Sequence, residues 1–263
     1  MPAEQSRIDH ALTLIRDFAR ATHRNMGFPH IGEARLVAGM IERVNDPTKQ
    51  NQAAASLCGP AAFLYCLLNA HPEQYVQYVV DLYLTGKARI GSLKVEPSVD
   101  CRYYAPPADR IAPVDWIALA SLCDSENTTL TYSSVDDTAA GITMPHSLAH
   151  WLGAAGFSGV KNDTNLVHRK GRKDVEAAKQ EADLFRRVCL FINANLLDAA
   201  KQTKKSMFPD HWAVIEKNPQ IVNDAVSLSV YSWGSIVSIP NTGALSIDDF
   251  TKNFYGVVSA KPT

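Results

Sequence analysis

The sequence has no excess of charge of either sign and no long hydrophobic run. It contains 26 Lys and Arg against 27 Asp and Glu in 263 residues, a formal charge of −1, which argues against a general binder of nucleic acids. No apolar stretch approaches the roughly 18 residues that a membrane span requires. Residues 1 to 10 lack the basic flank and apolar core of a secretory signal. We therefore expect a protein that folds in the cytoplasm of its cell and contacts neither nucleic acid nor membrane.

The cysteines are few, odd in number and widely spaced. They are Cys58, Cys66, Cys101, Cys123 and Cys189. The sequence contains no CxxC pair, which argues against a zinc knuckle, and the wide spacing argues against a disulfide framework. A glycine-rich phosphate loop is also missing. We therefore predict no metal and no organic cofactor.

One pair of histidines has a spacing that permits metal binding. His146 and His150 lie four residues apart on one face of a predicted helix. However, Ser147 follows His146 where an HExxH motif would have glutamate, and the sequence indicates no third ligand. We interpret these two residues as surface histidines.

Up to about residue 155, the spacing of apolar residues is helical. Cys58-Gly59-Pro60 precedes an apolar run that ends near Leu68, and proline is tolerated in the first turn of a helix because its missing N–H has no partner there. This pattern predicts a buried helix with Cys58 at its N-terminal end. A short strand is predicted over residues 90 to 95, and further helices over residues 5 to 22, 33 to 44, 73 to 84, 113 to 123 and 144 to 152.

After about residue 155 the pattern changes to strands. A charged helix at residues 173 to 187 is followed by predicted strands at 188 to 196, 211 to 216 and 226 to 233, which indicate an antiparallel sheet. Ser246, three residues before Asp249, is a capping signal for a helix through about Tyr255. The predicted fold class is α+β: one domain, residues 1 to 263, with a helical lobe of about 1 to 155 and a sheet lobe of about 156 to 263. We expect a cleft between the lobes.

Cys58 has the sequence environment of a nucleophile. A cysteine at a helix N-terminus meets unpaired backbone N–H groups and the positive end of the helix dipole, and both favour the thiolate. A thiolate still needs a proton donor for the leaving group, and histidine suits this role because its pKa lies near neutrality. His211, at the start of a predicted strand, is the candidate.

The order of these residues resembles that of the papain-like cysteine peptidases. Gln52 precedes Cys58 by six positions, His211 follows at a distance, and the next strand ends in Ser232-Trp233-Gly234. The resemblance implies a papain-like two-lobe fold with Cys58 as nucleophile and His211 as general base and acid. It also implies an oxyanion hole formed by Gln52 and the Cys58 backbone N–H. Trp233 would shield His211 from water at the substrate-binding face.

The sequence departs from this family at the group that orients the histidine. The family's asparagine falls on Tyr231 here. The Tyr231 hydroxyl, Ser232 or a main-chain carbonyl are the alternatives, whereas Asn223 and Asp224 are expected at the far turn of the hairpin. We therefore predict a Cys58–His211 dyad and leave the group that orients His211 unassigned among these alternatives.

Within the superfamily, the Cys-Gly-Pro-Ala start and the helical N-terminus resemble compact bacterial effector and toxin peptidases. This resemblance implies a specific protein substrate, a cognate immunity or inhibitor protein, and delivery into a target cell by a specialised secretion system. Three alternatives fit the same residues. They are a glutamine deamidase or transglutaminase, a peptidoglycan amidase, which the missing export signal disfavours, and an inert interaction module.

Two basic clusters stand out in the second half of the sequence, at residues 169 to 173 and 201 to 205. Charge runs of this length are usually solvated loops or helix ends. The alternative is that they recognise an acidic protein partner.

Overall fold

The computed structural model describes residues 2–107, 109–126, 132, 134–135 and 143–263. The chain divides into two compact units, residues 1–143 and 144–263. The division lies about twelve residues before the lobe boundary expected from the sequence, at about residue 155. As a result, the helix predicted over 144 to 152 belongs to the second unit.

The first unit is mainly helical. Its helices are α1 (Pro2–Arg20), α2 (Glu33–Asn45), α3 (Cys58–Ala70), α4 (Pro72–Thr85), α5 (Val99–Tyr103), α6 (Pro113–Asp115) and α7 (Ser121–Glu126), with a 3-10 turn at Pro47–Lys49 and a π-helical segment at Trp116–Ala120. Helix α1 packs against α2 and α4, and α4 packs against α3. The predicted helices of this part of the chain are confirmed.

Helix α3 forms the centre of the first unit. All of its residues except Asn69 are buried, as expected for a helix that is apolar on every side. Pro60 lies in its first turn, as predicted. A Cβ atom at Gly59 would overlap the Thr143 side chain, so close packing at this end of the helix requires glycine.

A short hairpin replaces the single strand predicted over residues 90 to 95. Strand β1 (Ala88–Ile90) pairs with β2 (Leu93–Val95) in an antiparallel register. Gly91 supplies the positive φ of 57° that the tight turn needs. The extended conformation was predicted correctly, but the reversal of the chain at Gly91 was missed.

The second unit contains an antiparallel sheet flanked by helices. Its helices are α8 (Pro145–Ala154), α9 (Arg172–Asp183) and α10 (Ile247–Thr251), and its strands are β3 (Ser158–Thr164), β4 (Arg187–Ile192), β5 (His211–Val222), β6 (Ala225–Ser232), β7 (Ser235–Ile239), β8 (Leu245–Ser246) and β9 (Phe254–Lys261). The strand order is β3-β9-β4-β5-β6-β7, and β8 pairs with β6. Helix α9 packs on β4, β5 and β9, and α8 packs on β3 and β9. The predicted sequence of three consecutive antiparallel strands, β4, β5 and β6, is confirmed.

The hairpin between β5 and β6 turns at Asn223 and Asp224, as expected. Both residues have positive φ, 47° and 68°, the conformation that a two-residue type I′ turn requires. Asparagine and aspartate tolerate it better than most residues. Neither side chain is therefore at the end of the sheet where His211 begins β5.

The C-terminal helix is shorter than predicted. Ser246 caps it by accepting a hydrogen bond from the Asp249 N–H, but the helix ends at Thr251 instead of near Tyr255. The chain then enters β9, which lies between β3 and β4. Strands pair with both edges of β9, and residues 254 to 260 are buried where helices α8, α9 and α10 pack on the strand. The backbone pairing on both edges favours a strand over a helix here.

The protein is thus of the α+β class, with helices and an antiparallel sheet. Among the described residues, no helix combines the length and the apolar character needed to cross a membrane.

Candidate active site

Cys58 is the first residue of α3. The N-cap residue, Leu57, has no side-chain acceptor and makes no side-chain capping bond. The backbone N–H groups of Cys58 and Gly59 therefore lie at an uncapped helix start, where the helix dipole favours negative charge. The thiol is 9% exposed, whereas Cys66, two turns later on the same helix, is fully buried.

A tight turn precedes Cys58 and holds Gln52. The Gln52 side-chain amide donates a hydrogen bond of 2.9 Å to the Ala55 carbonyl, and the Leu57 N–H donates one of 2.8 Å to the same oxygen. Ala53 has a positive φ of 51°, which is strained for a residue with a side chain. Gln52 is therefore a buried, fixed member of the turn that leads into α3.

A buried ion pair anchors the start of this turn. Asp115 is fully buried and accepts hydrogen bonds from Arg43 at 3.2 and 2.7 Å and from the Asn51 backbone N–H at 3.2 Å. Burial raises the pKa of Asp115 to about 6, and the Arg43 guanidinium opposes this rise. Asn51 in turn accepts a bond from the Ala53 N–H. The backbone of Asn51, the residue before Gln52, is thus fixed by the buried carboxylate of Asp115.

His211 is the first residue of β5, where it pairs with Ile192 of β4. The side chain is buried, with 4% exposed. Burial lowers the pKa of His211 to about 4. The imidazole is therefore neutral at pH 7, and its lowered pKa makes it a weaker base than an ordinary histidine.

Ser232 is the hydrogen-bonding partner of this imidazole. The distance from the Ser232 Oγ to the His211 Nε2 is 2.7 Å, and both groups are buried. Of the alternatives considered for the orienting group, the structure thus brings Ser232 to the ring. A serine hydroxyl can donate or accept, so it fits either tautomer of the ring. A bond at Nε2 leaves Nδ1 as the nitrogen for proton transfer.

Trp233 covers one face of His211. The ring centroids are 4.4 Å apart and the planes differ by 29°, a stacked arrangement. Trp233 and Gly234 form the two-residue turn between β6 and β7, and both have positive φ, 48° and 73°. A large aromatic residue in this conformation is strained. The strained backbone conformation of Trp233 places its indole on the His211 imidazole.

A cavity of about 330 Å³ opens beside the 40% exposed Trp233. Its other lining residues are Ala194, Asn195, Leu197, Asp198 and Lys201. Its walls are part apolar and part charged, and one of them is the indole that stacks on His211.

The structure groups the predicted site residues within the two units. Cys58 and Gln52 belong to the first unit, and His211 and Trp233 belong to the second, where Ser232 joins them. Sequence reasoning missed Asp115. A signal was present, since Asp115 is an acidic residue inside an apolar helical run.

His146 and His150 are exposed on α8. Among the residues that the structure describes, no group of three or more His, Cys, Asp or Glu side chains is arranged to hold a metal ion.

Comparison with known proteins returned no matching family model, no matching curated protein and no matching solved structure.

Proposed function

We propose that this chain is a papain-like cysteine endopeptidase with Cys58 as its nucleophile and His211 as its base. The observation that supports it most strongly is the environment of His211. A buried imidazole has Nε2 bonded to Ser232 and one face covered by Trp233. This geometry serves a base that must present its other nitrogen in one direction.

In the proposed reaction, Nδ1 of His211 takes the proton of the Cys58 thiol, and the sulfur attacks the carbonyl carbon of a peptide bond. The oxyanion accepts hydrogen bonds from the Cys58 backbone N–H and the Gln52 amide. His211 then returns the proton to the leaving amine as the C–N bond breaks. Water, deprotonated by His211, attacks the thioester, which releases the acid and restores the thiol. The proposal includes a papain-like arrangement of helical and sheet lobes.

The proposal extends to the biological setting. A specific protein serves as the substrate, and the producing cell protects itself with an immunity or inhibitor protein that covers the cleft. This part rests on the resemblance of the Cys-Gly-Pro-Ala start to bacterial effector peptidases.

Thiol labelling tests the nucleophile without knowledge of the substrate. We expect iodoacetamide or a peptidyl epoxide to modify Cys58 at pH 6, where an ordinary thiol with a pKa of about 8.5 is almost fully protonated. His211→Ala should slow the labelling of Cys58. Peptide mass spectrometry identifies the modified residue.

Cys66→Ala is the matched control because Cys66 lies on the same helix, away from its N-terminus. It should leave the labelling unchanged. Labelling of Cys58 only above pH 8, or labelling that does not depend on His211, contradicts the proposal.

Activity on a verified substrate provides the second test. Cys58→Ala and His211→Ala should abolish turnover, and Gln52→Ala should lower kcat about a hundredfold. Intact-mass measurement must show two fragments of the substrate. A substrate that stays whole and gains about 1 Da, the mass change of amide-to-acid conversion, would show a deamidase instead.

A further inference from the structure

The loop between Leu197 and His211 is fixed at several points. We call residues 198 to 210 the display loop. Asn253 is fully buried, and its side-chain amide donates hydrogen bonds to the carbonyls of Gln202 at 3.0 Å and of Lys204 at 2.9 Å. The Asn193 side chain donates one of 2.9 Å to the Phe208 carbonyl. The loop has no regular secondary structure, but its backbone is held by buried groups.

Ser206 provides another anchor. Its N–H and its hydroxyl both donate to the Lys252 carbonyl, at 3.3 and 3.0 Å. Ser206 and Gln202 point inward and are buried. The residues between and after them therefore point outward in a fixed conformation.

The outward residues are both apolar and basic. Met207 is 85% exposed and Phe208 is 61% exposed, and Lys204 and Lys205 are exposed beside them. Two adjacent large apolar side chains on a rigid loop are costly to leave in water. The loop therefore has the features of a surface that binds another molecule.

A second loop, residues 165 to 170, extends this surface. Arg169 donates a hydrogen bond of 2.8 Å to the Ser206 carbonyl, which joins the two loops. Leu166 and Val167 on the second loop are also exposed. Exposed apolar side chains thus lie on both of the loops that the Arg169 bond joins.

The positive charge of this surface is only partly neutralised. Lys201 pairs with Asp198, and Lys170 pairs with Asp163 and Asp174. Within the described ranges, Arg169, Lys204 and Lys205 form no ion pair with a carboxylate, although the pKa of Asp198 is lowered first by its hydrogen bond with Lys201 and more weakly by the charge of Lys204. The chain as a whole has a charge of −1, so these three cations are a local feature and not a consequence of composition.

We propose that the display loop and residues 165 to 170 form a docking surface for an acidic protein. Carboxylates of the partner would face Arg169, Lys204 and Lys205, and an apolar side chain of the partner would contact Met207 and Phe208. Because buried groups already hold the loop backbone, binding costs little backbone entropy. The paired Asp198, Asp163 and Asp174 beside the cations favour a protein over an anionic membrane, which would repel them.

The proposal is independent of catalysis, and its test uses the full chain with Cys58→Ala so that no probe is cleaved. The probe is a fluorescein-labelled random copolymer of Glu and Tyr, followed by fluorescence anisotropy at increasing salt. We expect binding that weakens with salt. Lys204→Glu combined with Lys205→Glu should raise the Kd at least about tenfold, and Phe208→Ser at least about fivefold.

Matched control variants are available at the other end of the sheet. Lys261 is an exposed cation at the far end of β9, and Phe185 is an exposed aromatic residue just before β4. Lys261→Glu and Phe185→Ser should leave the Kd unchanged. Equal weakening by these controls overturns the proposal, as does copolymer binding that ignores the display-loop variants. Binding to phosphatidylserine vesicles without binding to the copolymer overturns it in favour of a membrane surface.

Discussion

The two units hold their candidate site residues by different physical means. In the first unit, a buried charge, Asp115, fixes the backbone that leads to Gln52 and Cys58. In the second unit, a buried neutral ring, His211, is fixed by one hydroxyl and one stacked indole. The comparison shows that one chain can fix buried side chains either by compensating a buried charge or by keeping the buried group neutral.

The two buried groups change the free energy of unfolding with pH in opposite directions. Burial raises the pKa of Asp115 from 3.8 to about 6, so the free energy of unfolding falls as this carboxyl loses its proton and the pH rises through about 6. Above pH 6 the ion pair with Arg43 offsets part of the cost of the buried carboxylate. Burial lowers the pKa of His211 from 6.5 to about 4, so its contribution is present above pH 6.5 and is lost as the pH falls toward 4. Between pH 4 and 6, lowering the pH therefore raises the free energy of unfolding through Asp115 and lowers it through His211.

We expect the largest effect from removing Asp115, the buried carboxylate that anchors the turn before α3. Asp115→Ala leaves the Arg43 guanidinium buried without its main partner, and we expect a loss of about 3–5 kcal/mol in unfolding free energy at pH 7.5. Denaturant titration measures the loss. Hydrogen exchange should show faster opening of peptides from residues 50 to 70 than of peptides from β5 and β6.

Asp198→Ala is the control, because its ion pair with Lys201 is exposed and should contribute little. If Asp115→Ala were as stable as Asp198→Ala, the buried pair would not anchor the turn.

The next effect isolates the imidazole of the second unit. In His211→Gln the side chain cannot titrate, whereas in the wild type the unfolded imidazole gains a proton below pH 6.5 and the folded one does not. Relative to the variant, the wild type should lose about 2 kcal/mol between pH 7 and pH 5. Asp115 is present in both proteins, so its opposite contribution cancels. A difference that stays constant with pH would show that His211 is not buried in its neutral form.

A smaller effect concerns the hydroxyl on Nε2. Ser232→Ala should cost about 1 kcal/mol and change the tautomer populations of His211 in nitrogen NMR spectra. Ser235→Ala, three residues away, removes a hydroxyl that donates to the Ser232 carbonyl and should leave the tautomers unchanged. Unaltered tautomers in Ser232→Ala would mean that another group orients the ring.

The smallest effect compares two replacements of Trp233. Both Trp233→Gly and Trp233→Ala remove the stacking on His211, but only glycine adopts positive φ without strain. We therefore expect the glycine variant to be more stable by about 1 kcal/mol. Thermal unfolding of the two variants decides, and equal stability would show that the turn relaxes when the indole is removed.

The sequence predicted much of the fold because its strongest signals are local. Pro60 and the apolar run after it define α3, and the turn residues Asn223 and Asp224 separate β5 from β6. Strands β3 and β9 were missed for the opposite reason. Strand β3 is almost entirely exposed and has no alternating apolar pattern. Strand β9 is a strand because β3 and β4 pair with its two edges. These partners are distant in sequence, so a short stretch of sequence does not reveal them.

The candidate site residues stay a prediction from residue type and order, which say little about contacts. Alignment to the peptidase pattern places the family's asparagine on Tyr231 and leaves Tyr231, Ser232 or a main-chain carbonyl as the orienting group, and in the structure the side chain that meets Nε2 belongs to Ser232. Successive side chains of a strand point to opposite faces, so a difference of one position changes which group meets the ring. The link from Asp115 to Asn51 joins residues 64 positions apart and depends on how the helices pack.

The hydrogen atom of Gly59 is all that fits between the start of α3 and Thr143. The second residue of α3 and the last residue of the first unit therefore compete for the same space. A methyl group added at position 59 must be removed from position 143, for example as Gly59→Ala together with Thr143→Gly. In a library randomised at both positions, variants that enlarge position 59 without reducing position 143 should be depleted.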